Sequence, residues 1–407
     1  MNTQKRQNVY KIIMLIVLTI TITYIVTAIT FYQKIQKSDV GEIDDYILSY
    51  SDDSTDMNLT EIKAILSQKY IGDLDEEKMY EGAIKGYVSG LGDPYTEYLS
   101  KEDMDKLKED TSGKYVGIGV YVTNDTTTDS ILVVGVMKNS PALEAGIQAG
   151  DYIIKVDNVE YAGSELSDAV SVLKGEENTN VKVTVLREEN EIELDITRKE
   201  IKIESVSSEI ISEDIGVITI SSFDDDVAKK FEEEYSNMKD NIKGLIIDLR
   251  SNGGGVVEEA TDIADLFTEK DQAVLITVDK NDKEKVTKAE REKVINDIPV
   301  VVLINQATAS ASEILAAALK ENYSATIVGK TSYGKGVIQT VYELTNGAGL
   351  KVTTNEYFTP NHNVIDKKGI EPDEDIELDK DEEGYYITDQ DKDTQLLKAI
   401  DILKNKQ

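Results

Sequence analysis

Two short stretches towards the carboxyl terminus contain residue types that could together hydrolyse an acyl bond. Ser310 follows an apolar run at residues 299–305, which predicts a buried strand, and precedes a helix-forming run at residues 314–319. The serine also opens an S-x-x-E pattern, which is typical of a capping box at a helix N-terminus. Lys335 lies between two glycines, ahead of an alternating run that predicts a strand. The pair fits a hydrolase, and it equally fits an N-cap and a turn.

Composition excludes several classes of protein and of site. A chain of 407 residues can form two or three domains, each with its own core. The formal net charge of −34 repels phosphate backbones, so nucleic acid is not an expected partner. The absence of cysteine removes thiol nucleophiles, thiolate metal sites and disulfides together.

The chain has a single histidine, His362, which limits the kinds of catalytic and metal site that it can form. It lies in a turn-like stretch outside any apolar period, which predicts a surface turn residue rather than the base of a Ser-His-Asp triad. One histidine cannot build a multi-histidine zinc site, and no EF-hand spacing is present. Carboxylate-only sites for magnesium or calcium stay open, but the sequence predicts no metal site and no cofactor.

The N-terminal segment predicts a membrane anchor. The stretch from Ile12 to Tyr32 contains 21 residues without a charge, about 31 Å as a helix, which matches the roughly 30 Å hydrocarbon core of a bilayer. Lys5, Arg6 and Lys11 precede it, so residues 1–11 are expected in the cytoplasm and the rest of the chain outside it. A cleaved signal peptide is the alternative, which the absence of a small-x-small exit disfavours. We therefore expect a single-pass protein of the cell membrane with its catalytic part extracytoplasmic.

Shifts in composition and period divide the chain and predict a multidomain α+β protein. The predicted segments are the cytoplasmic N-terminus at 1–11, the anchor at 12–32, a polar linker at 33–58, a helical N-terminal region at 59–112, a β domain at 113–198, a core of alternating strands and helices at 199–378, and an acidic segment with a helix at 379–407. That last helix, at 394–404, is amphipathic and is expected to pack on the core or on a second subunit. A homodimer is thus one expected partner.

The β domain resembles PDZ domains. Residues 139–151 are similar to the PDZ signature "SPAxxAGxxxGDxIxxV". The residues that resemble the carboxylate-binding loop and the start of the peptide-binding strand are Val116, Gly117, Ile118, Gly119 and Val120. Glycines leave backbone N–H groups free to form a nest for a C-terminal carboxylate, and a strand edge can accept an extended peptide. The alternative is a small β domain that binds nothing.

Five motifs in one order resemble those of C-terminal processing peptidases, also called tail-specific proteases. They are "LDPYSxYL" at 91–99, "DLRxNxGG" at 248–255, "SASASEI" at 308–314, "GKGxxQ" at 334–339 and "YxTPxGxxIxxxGIxPD" at 357–373. The resemblance runs from about Leu59 to Asp373. It implies a crotonase-like α/β catalytic core that follows the PDZ-like domain, and serine endopeptidase activity without a cofactor.

Carried over by position, the resemblance implies Ser310 as nucleophile, Lys335 as base and Gln339 as an assisting residue. A lysine is a base only when neutral, so its pKa must fall from about 10.4 to roughly 7–8, and burial can supply that shift. Gln339 lies on the same strand face as Lys335 but about 13 Å along a regular strand. Both can reach one site only if the chain bends at Gly336.

The same position suggests an oxyanion hole at the start of the helix. The Ala311 N–H is expected to be one donor, with Gly254 or Gly253 as the second. A serine that caps a helix commits its hydroxyl to that helix, so Ser312 is an alternative nucleophile. The register of the motif favours Ser310.

The sequence therefore predicts a membrane-anchored serine endopeptidase that recognises exposed C-terminal tails of protein or peptide substrates through its PDZ domain. The main alternative is a non-catalytic PDZ scaffold that binds protein C-termini at the membrane. A second alternative is a crotonase-like domain that acts on an acyl ester rather than on a peptide.

Overall fold

The computed structural model describes residues 53–296, 298–380 and 387–406, with side chains described from residue 58 onward. The described chain divides into two compact units, one that ends at Tyr80 and one that begins at Glu81. The predicted cytoplasmic N-terminus and the predicted anchor at 12–32 lie outside the described residues. Among the residues that are described, no helix is both long enough and apolar enough to cross a bilayer.

The elements are numbered in chain order. The helices are α1 (Asp53–Lys69), α2 (Glu76–Ser89), α3 (Lys101–Ser112), α4 (Pro141–Ala145), α5 (Leu166–Leu173), α6 (Val227–Met238), α7 (Val257–Asp265), α8 (Ala311–Asn322) and α9 (Thr394–Lys406). The strands are β1 (Glu97–Leu99), β2 (Lys114–Gly117), β3 (Val120–Asp125), β4 (Ser130–Val136), β5 (Tyr152–Val156), β6 (Val159–Glu160), β7 (Asn180–Arg187), β8 (Asn190–Thr197), β9 (Lys199–Lys202), β10 (Val206–Ile211), β11 (Ile215–Ile220), β12 (Gly244–Asp248), β13 (Ala273–Asp279), β14 (Glu284–Lys288), β15 (Val300–Ile304), β16 (Thr326–Gly329), β17 (Val337–Glu343), β18 (Gly349–Phe358) and β19 (Glu374–Asp375).

The first helix corrects the predicted linker at 33–58. Helix α1 begins at Asp53, so residues 53–58 belong to the helix and not to a spacer. Prediction from apolar periodicity missed this part because the segment is polar, and backbone hydrogen bonds extend a helix without apolar side chains. In the same unit, Lys63 of α1 forms a 2.9 Å ion pair with Glu76 at the start of α2.

A small β domain follows α3 and has its own apolar core. Its antiparallel sheet has the order β3-β4-β5-β7-β8, so β3 is an edge strand, and β6 pairs with β5. Strands β2 and β9 pair with each other where the chain enters and leaves the domain. Because β9 completes this ribbon, the domain extends to Lys202, past the predicted boundary at 198. The core side chains include Ile131, Val133, Ile153, Val181 and Val183.

The core that follows is built on a six-stranded sheet of order β10-β11-β12-β15-β16-β19. Strand β10 is antiparallel to β11, and the other neighbours are parallel. Helices α6, α7 and α8 cover one face of the sheet, where Phe231, Ile263 and Leu315 pack. Because both faces are covered, β15 is buried at all five positions, as its continuous apolar sequence predicts.

Helix α9 covers the other face of the sheet, where Leu396 and Leu403 pack. Of the two predicted contacts of this helix, with the core or with a second subunit, the structure shows the contact with the core. Arg250 fixes the start of this helix to the end of β12. Its guanidinium lies 2.7 Å from the Asp393 carboxylate and 2.6 Å from that of Asp248. Asp393 in turn accepts a 2.9 Å hydrogen bond from the Leu396 N–H at the helix start.

A second, five-stranded sheet is formed by strands from distant parts of the sequence. Its order is β1-β18-β13-β14, and β17 also pairs with β18. Strand β1 pairs antiparallel with the first residues of β18, with Glu97 opposite Lys351. The chain just after α2 is therefore part of the same sheet as β17, the strand that follows Lys335.

Candidate active site

The carboxyl ends of three neighbouring parallel strands meet at one edge of the six-stranded sheet. Strand β15 pairs with β12 on one side and with β16 on the other. The loop after β12 contains the glycines at 253–255, the loop after β15 contains Ser310, and the loop after β16 contains Lys335. Open α/β sheets bind ligands beyond the carboxyl ends of their strands. The topology therefore brings the three predicted motifs to one place.

Ser310 occupies the turn between β15 and α8 with an unusual backbone. Its φ of 56° and ψ of −117° lie outside the regions that non-glycine residues normally adopt, and such strain clusters at functional sites. The hydroxyl makes no capping hydrogen bond, and the Glu313 N–H instead reaches the Ser310 carbonyl oxygen at 2.9 Å. The conflict between capping and nucleophilic roles is thereby removed, because the Ser310 Oγ is not committed to the helix.

Ser312, the alternative nucleophile, is fully buried. Its hydroxyl donates a 3.0 Å hydrogen bond to the Asn252 carbonyl oxygen, and the Ala309 N–H donates to the same oxygen at 3.0 Å. The Asn252 amide also donates to the Ile220 carbonyl oxygen at 2.9 Å. Ser312 and Asn252 thus hold the glycine loop against the start of α8. Ser310 is partly buried, and its hydroxyl has no hydrogen-bond partner among the residues that the structure describes.

The glycine loop approaches Ser310 so closely that a side chain at Gly254 has no room. A Cβ atom there, at a φ of +105°, would lie 2.8 Å from the Ser310 Cβ and 3.0 Å from the Ala311 nitrogen. The expected role of Gly254 as an oxyanion donor needs correction, because its N–H already donates to Asn252 Oδ1 at 2.8 Å. Within the described chain the N–H groups of Gly253 and Ala311 have no hydrogen-bond partner.

Lys335 lies in a loop whose two flanking positions, Gly334 and Gly336, have no room for a side chain. A Cβ at Gly334 or Gly336 would collide with the backbone of residues 366–369, and Gly334 has a φ of +84°. The Lys335 Nζ lies 5.1 Å from the centroid of the Tyr95 ring. Across the part of the chain that the structure describes, no hydrogen bond joins this Nζ to Ser310 or to any other residue.

The environment of Lys335 favours its neutral form. Burial lowers the pKa of the amine below the ordinary lysine value of 10.5, and the positive charge of Lys351 lowers it further. The carboxylates of Glu313 and Glu97 act in the opposite direction without reversing the shift. A lysine with a depressed pKa is what a general base requires.

One buried carboxylate joins the serine turn to the lysine loop. Glu313 is fully buried on α8. Its Oε2 accepts from the N–H groups of Ser310 at 2.8 Å and Lys335 at 3.0 Å. Its Oε1 accepts from the Gly334 N–H and from the Ser332 hydroxyl, each at 2.6 Å. Glu313 therefore fixes the backbone of both candidate catalytic residues.

Tyr357 supplies a second bridge between the same two backbones. Its buried phenol oxygen lies 3.3 Å from the Ser310 carbonyl oxygen and within hydrogen-bond distance of the Lys335 carbonyl oxygen, so the single O–H is shared between these two acceptors. Gln339 is not brought into hydrogen-bond contact with either residue. A bulge at Ile338 and Gln339 bends β17, and the Gln339 amide lies 3.4 Å from the Thr353 hydroxyl.

The predicted peptide-binding residues extend from the end of β2, through the turn at Ile118 and Gly119, to the start of the edge strand β3. Gly119 has a φ of +80°, which turns the chain between the two strands. The Ile118 and Gly119 carbonyl oxygens accept from Ala142 and Met137, whereas the N–H groups of Ile118 and Gly119 have no partner among the described residues. Val116 and Gly117 pair with β9, and Val120 begins β3. The loop thus offers adjacent backbone donors beside a strand edge, as a peptide C-terminus requires.

His362 lies apart from the site. Its ring is exposed and its Nε2 is 3.3 Å from a Glu284 carboxylate oxygen, in agreement with the predicted surface turn. In the described ranges, no group of three or more His, Cys, Asp or Glu side chains could hold a metal ion.

Sequence reasoning missed two side chains at the site. The S-x-x-E pattern predicts only a capping-box role for Glu313, and the motif at 91–99 indicates no role for Tyr95. The sequence does contain a signal for Glu313. This glutamate directly precedes the apolar helical run at residues 314–319, and a glutamate that is buried with such a run needs partners for its charge. The position of Tyr95 depends on the pairing of β1 with β18, which no local pattern reveals.

Three family models match the chain. Residues 214–376 match peptidase family S41, residues 132–187 match a PDZ domain, and residues 16–103 match the N-terminal domain of the activating protease CtpB. A solved structure named "Putative S41 protease from Bacteroides fragilis NCTC 9343" has the same fold, with a TM-score of 0.53 and 16% identity over 83% of this chain and 93% of that one.

Curated relatives share more of the sequence. The chain is 38% identical to the "Carboxy-terminal processing protease CtpA" of Bacillus subtilis (strain 168), over 77% of this chain and 67% of that protein. It is 34% identical to the "Probable CtpA-like serine protease" of Staphylococcus aureus (strain COL), over 93% of this chain and 75% of that protein. The chain belongs to peptidase family S41 and is a CtpA-like serine protease with a PDZ domain.

Proposed function

We propose that Ser310 is the nucleophile and Lys335 the general base of a peptidase that cleaves proteins whose C-terminal tails its PDZ domain binds. The observation that carries the assignment is Glu313, because one buried carboxylate binds the backbone N–H of both residues. The lowered pKa of Lys335 and the uncommitted hydroxyl of Ser310 support the same roles.

The proposed reaction follows the logic of a serine peptidase. The neutral Lys335 amine accepts the proton of Ser310 as the Oγ attacks the scissile carbonyl carbon. The N–H groups of Ala311 and Gly253 donate to the oxyanion that forms. The Lys335 ammonium then gives its proton to the departing amine, which leaves an acyl-serine. A water molecule, deprotonated by the amine, hydrolyses this ester and restores both groups.

In this proposal the Gln339 side chain must first move towards Lys335 before it can assist catalysis. Its amide lies 3.4 Å from the Thr353 hydroxyl and 3.5 Å from the Val337 carbonyl oxygen, at the limit of hydrogen bonding. Such weak contacts are readily exchanged for one with the lysine when a substrate strand enters.

An acylating or phosphonylating reagent distinguishes a peptidase from a non-catalytic PDZ scaffold. We expect a fluorophosphonate to add covalently to Ser310, with the modified peptide identified by mass spectrometry. Ser310→Ala should remove the label and Ser312→Ala should keep it, because the Ser312 hydroxyl is buried and hydrogen-bonded. Label on Ser312, or no label on the folded wild type, would refute the assignment.

We further propose that the stretch from Ile12 to Tyr32 anchors the protein in the cell membrane, with the catalytic part outside the cytoplasm. Its 21 uncharged residues and the basic residues before it support this orientation. The full chain should remain in the membrane fraction after a carbonate wash, and a chain without residues 1–32 should be released. Release of both forms would contradict the anchor.

A further inference from the structure

Tyr95 lies at the candidate catalytic lysine although it comes from a distant part of the chain. The Lys335 Nζ is 5.1 Å from the centroid of its ring, within the range of a cation–π interaction. The Tyr95 ring is only partly exposed. The Tyr95 ring therefore covers one side of the Lys335 Nζ. There the ring attracts the ammonium form of the lysine and also excludes water from it.

The turn that contains Tyr95 is firmly attached to the second sheet. Asp93 accepts hydrogen bonds from the Tyr95 N–H at 3.1 Å and from the Thr96 hydroxyl at 2.6 Å. The Thr96 hydroxyl oxygen accepts from the Thr353 N–H of β18 at 3.0 Å, and Glu97 begins the pairing of β1 with β18. Since β18 also pairs with β17, the ring and the lysine loop are held by the same sheet.

We propose that Tyr95 is a positioning residue for Lys335, whose ring holds the amine in its resting place and sets how readily that amine accepts the serine proton. The inference rests on the proposed role of Lys335 as the base. It assigns to the segment at 91–99 a part in the chemistry, through the lysine and not through contact with substrate.

Two opposing effects of the ring make the proposal testable. Exclusion of water disfavours the ammonium form, whereas the negative face of the ring favours it. The charged groups that act on Lys335 from other elements are Glu313 on α8, Glu97 on β1 and Lys351 on β18. The Tyr95 phenol is a hydrogen-bond partner of the Tyr333 side chain, and the carboxylates of Asp366 and Asp93 act on it electrostatically. A substitution at Tyr95 leaves the identity of all these groups unchanged.

The test measures the rate of fluorophosphonate inactivation against pH in the full chain, since this small reagent needs no PDZ binding. Tyr95→Leu keeps apolar bulk and removes the aromatic face, so the pH at which the rate reaches half its plateau should fall by about half a unit. Tyr95→Ala admits water, so that pH should rise and the plateau should fall. Tyr95→Phe keeps the ring and should keep the wild-type midpoint.

Controls separate this inference from the proposed function. Tyr342→Leu, at a residue 48% exposed on β17, should match the wild type. Midpoints that stay at the wild-type value in the Leu and Ala variants, or that move in the same direction in both, would overturn the role of Tyr95. A wild-type profile whose low-pH limb persists in Lys335→Met would instead refute the lysine base, whatever the Tyr95 variants do.

Discussion

Replacement of Lys335 by methionine is expected to lower kcat roughly 10²–10⁴-fold, the usual share of general acid–base catalysis. Methionine keeps the apolar stem and removes the amine that accepts the Ser310 proton. Binding of a C-terminal peptide, measured separately by fluorescence anisotropy, should be unchanged because the loop at 116–120 belongs to a different domain. Turnover is measured on an unfolded protein substrate as cleavage products per enzyme per second.

The turnover of the wild type should depend on pH, because Lys335 can act as the base only when its amine is neutral. Burial and the charge of Lys351 lower the pKa of Lys335, and the base is active only when neutral. The wild-type kcat/KM should therefore rise with pH through that pKa, at a pH below 10.5, and fall as the lysine becomes protonated. Lys367→Met is the matched control, since its side chain is 90% exposed. Wild-type turnover by the Lys335 variant would rule out its role as the base.

Substitution of glutamine for Glu313 is expected to lower kcat roughly 10²-fold, with a much smaller change in KM. The carboxylate accepts four hydrogen bonds from the two catalytic loops. An amide replaces one acceptor oxygen with an NH₂ group, which faces two donors whichever way it turns. The loops then separate, and a misplacement of about 1 Å between reacting groups can cost a factor of this size. Steady-state kinetics with kcat and KM resolved is the measurement.

The same variant should also be less stable, because a buried donor left without an acceptor costs about 1–3 kcal/mol. Denaturant unfolding measures this loss and shows whether the variant is still folded under assay conditions. Glu321→Gln on the same helix is the control, since among the described residues that partly exposed carboxylate accepts from Asn361 and Asn363 and from neither catalytic loop. A folded Glu313→Gln enzyme with wild-type kcat would show that the carboxylate does not position the loops.

The sequence alone determined the architecture of the described region and the identity of the candidate dyad. Continuous apolar runs such as β15 predict a buried parallel strand, because both faces of that sheet are covered. The resemblance of the motifs at 248–255, 308–314 and 334–339 to those of one peptidase family predicts that they form one site. The structure brings their loops to one edge of the sheet, because β12, β15 and β16 are neighbouring parallel strands. The resemblance to C-terminal processing peptidases indicated Lys335 as the base, and a chain with one histidine in a turn-like stretch agrees with a base other than histidine.

Only the tertiary structure decided which groups are free to react and which hold them. The Gly254 N–H donates to the Asn252 side chain and the Ser312 hydroxyl to the Asn252 carbonyl oxygen, whereas the Ser310 hydroxyl has no hydrogen bond within the described part of the chain. Such assignments depend on the hydrogen-bond geometry of the folded loops, as between Ser312 and Asn252, and periodicity does not contain this geometry. Tyr95 shows the same limit, because a three-residue strand brings it to Lys335 by pairing with β18, a contact that exists only after the chain has folded.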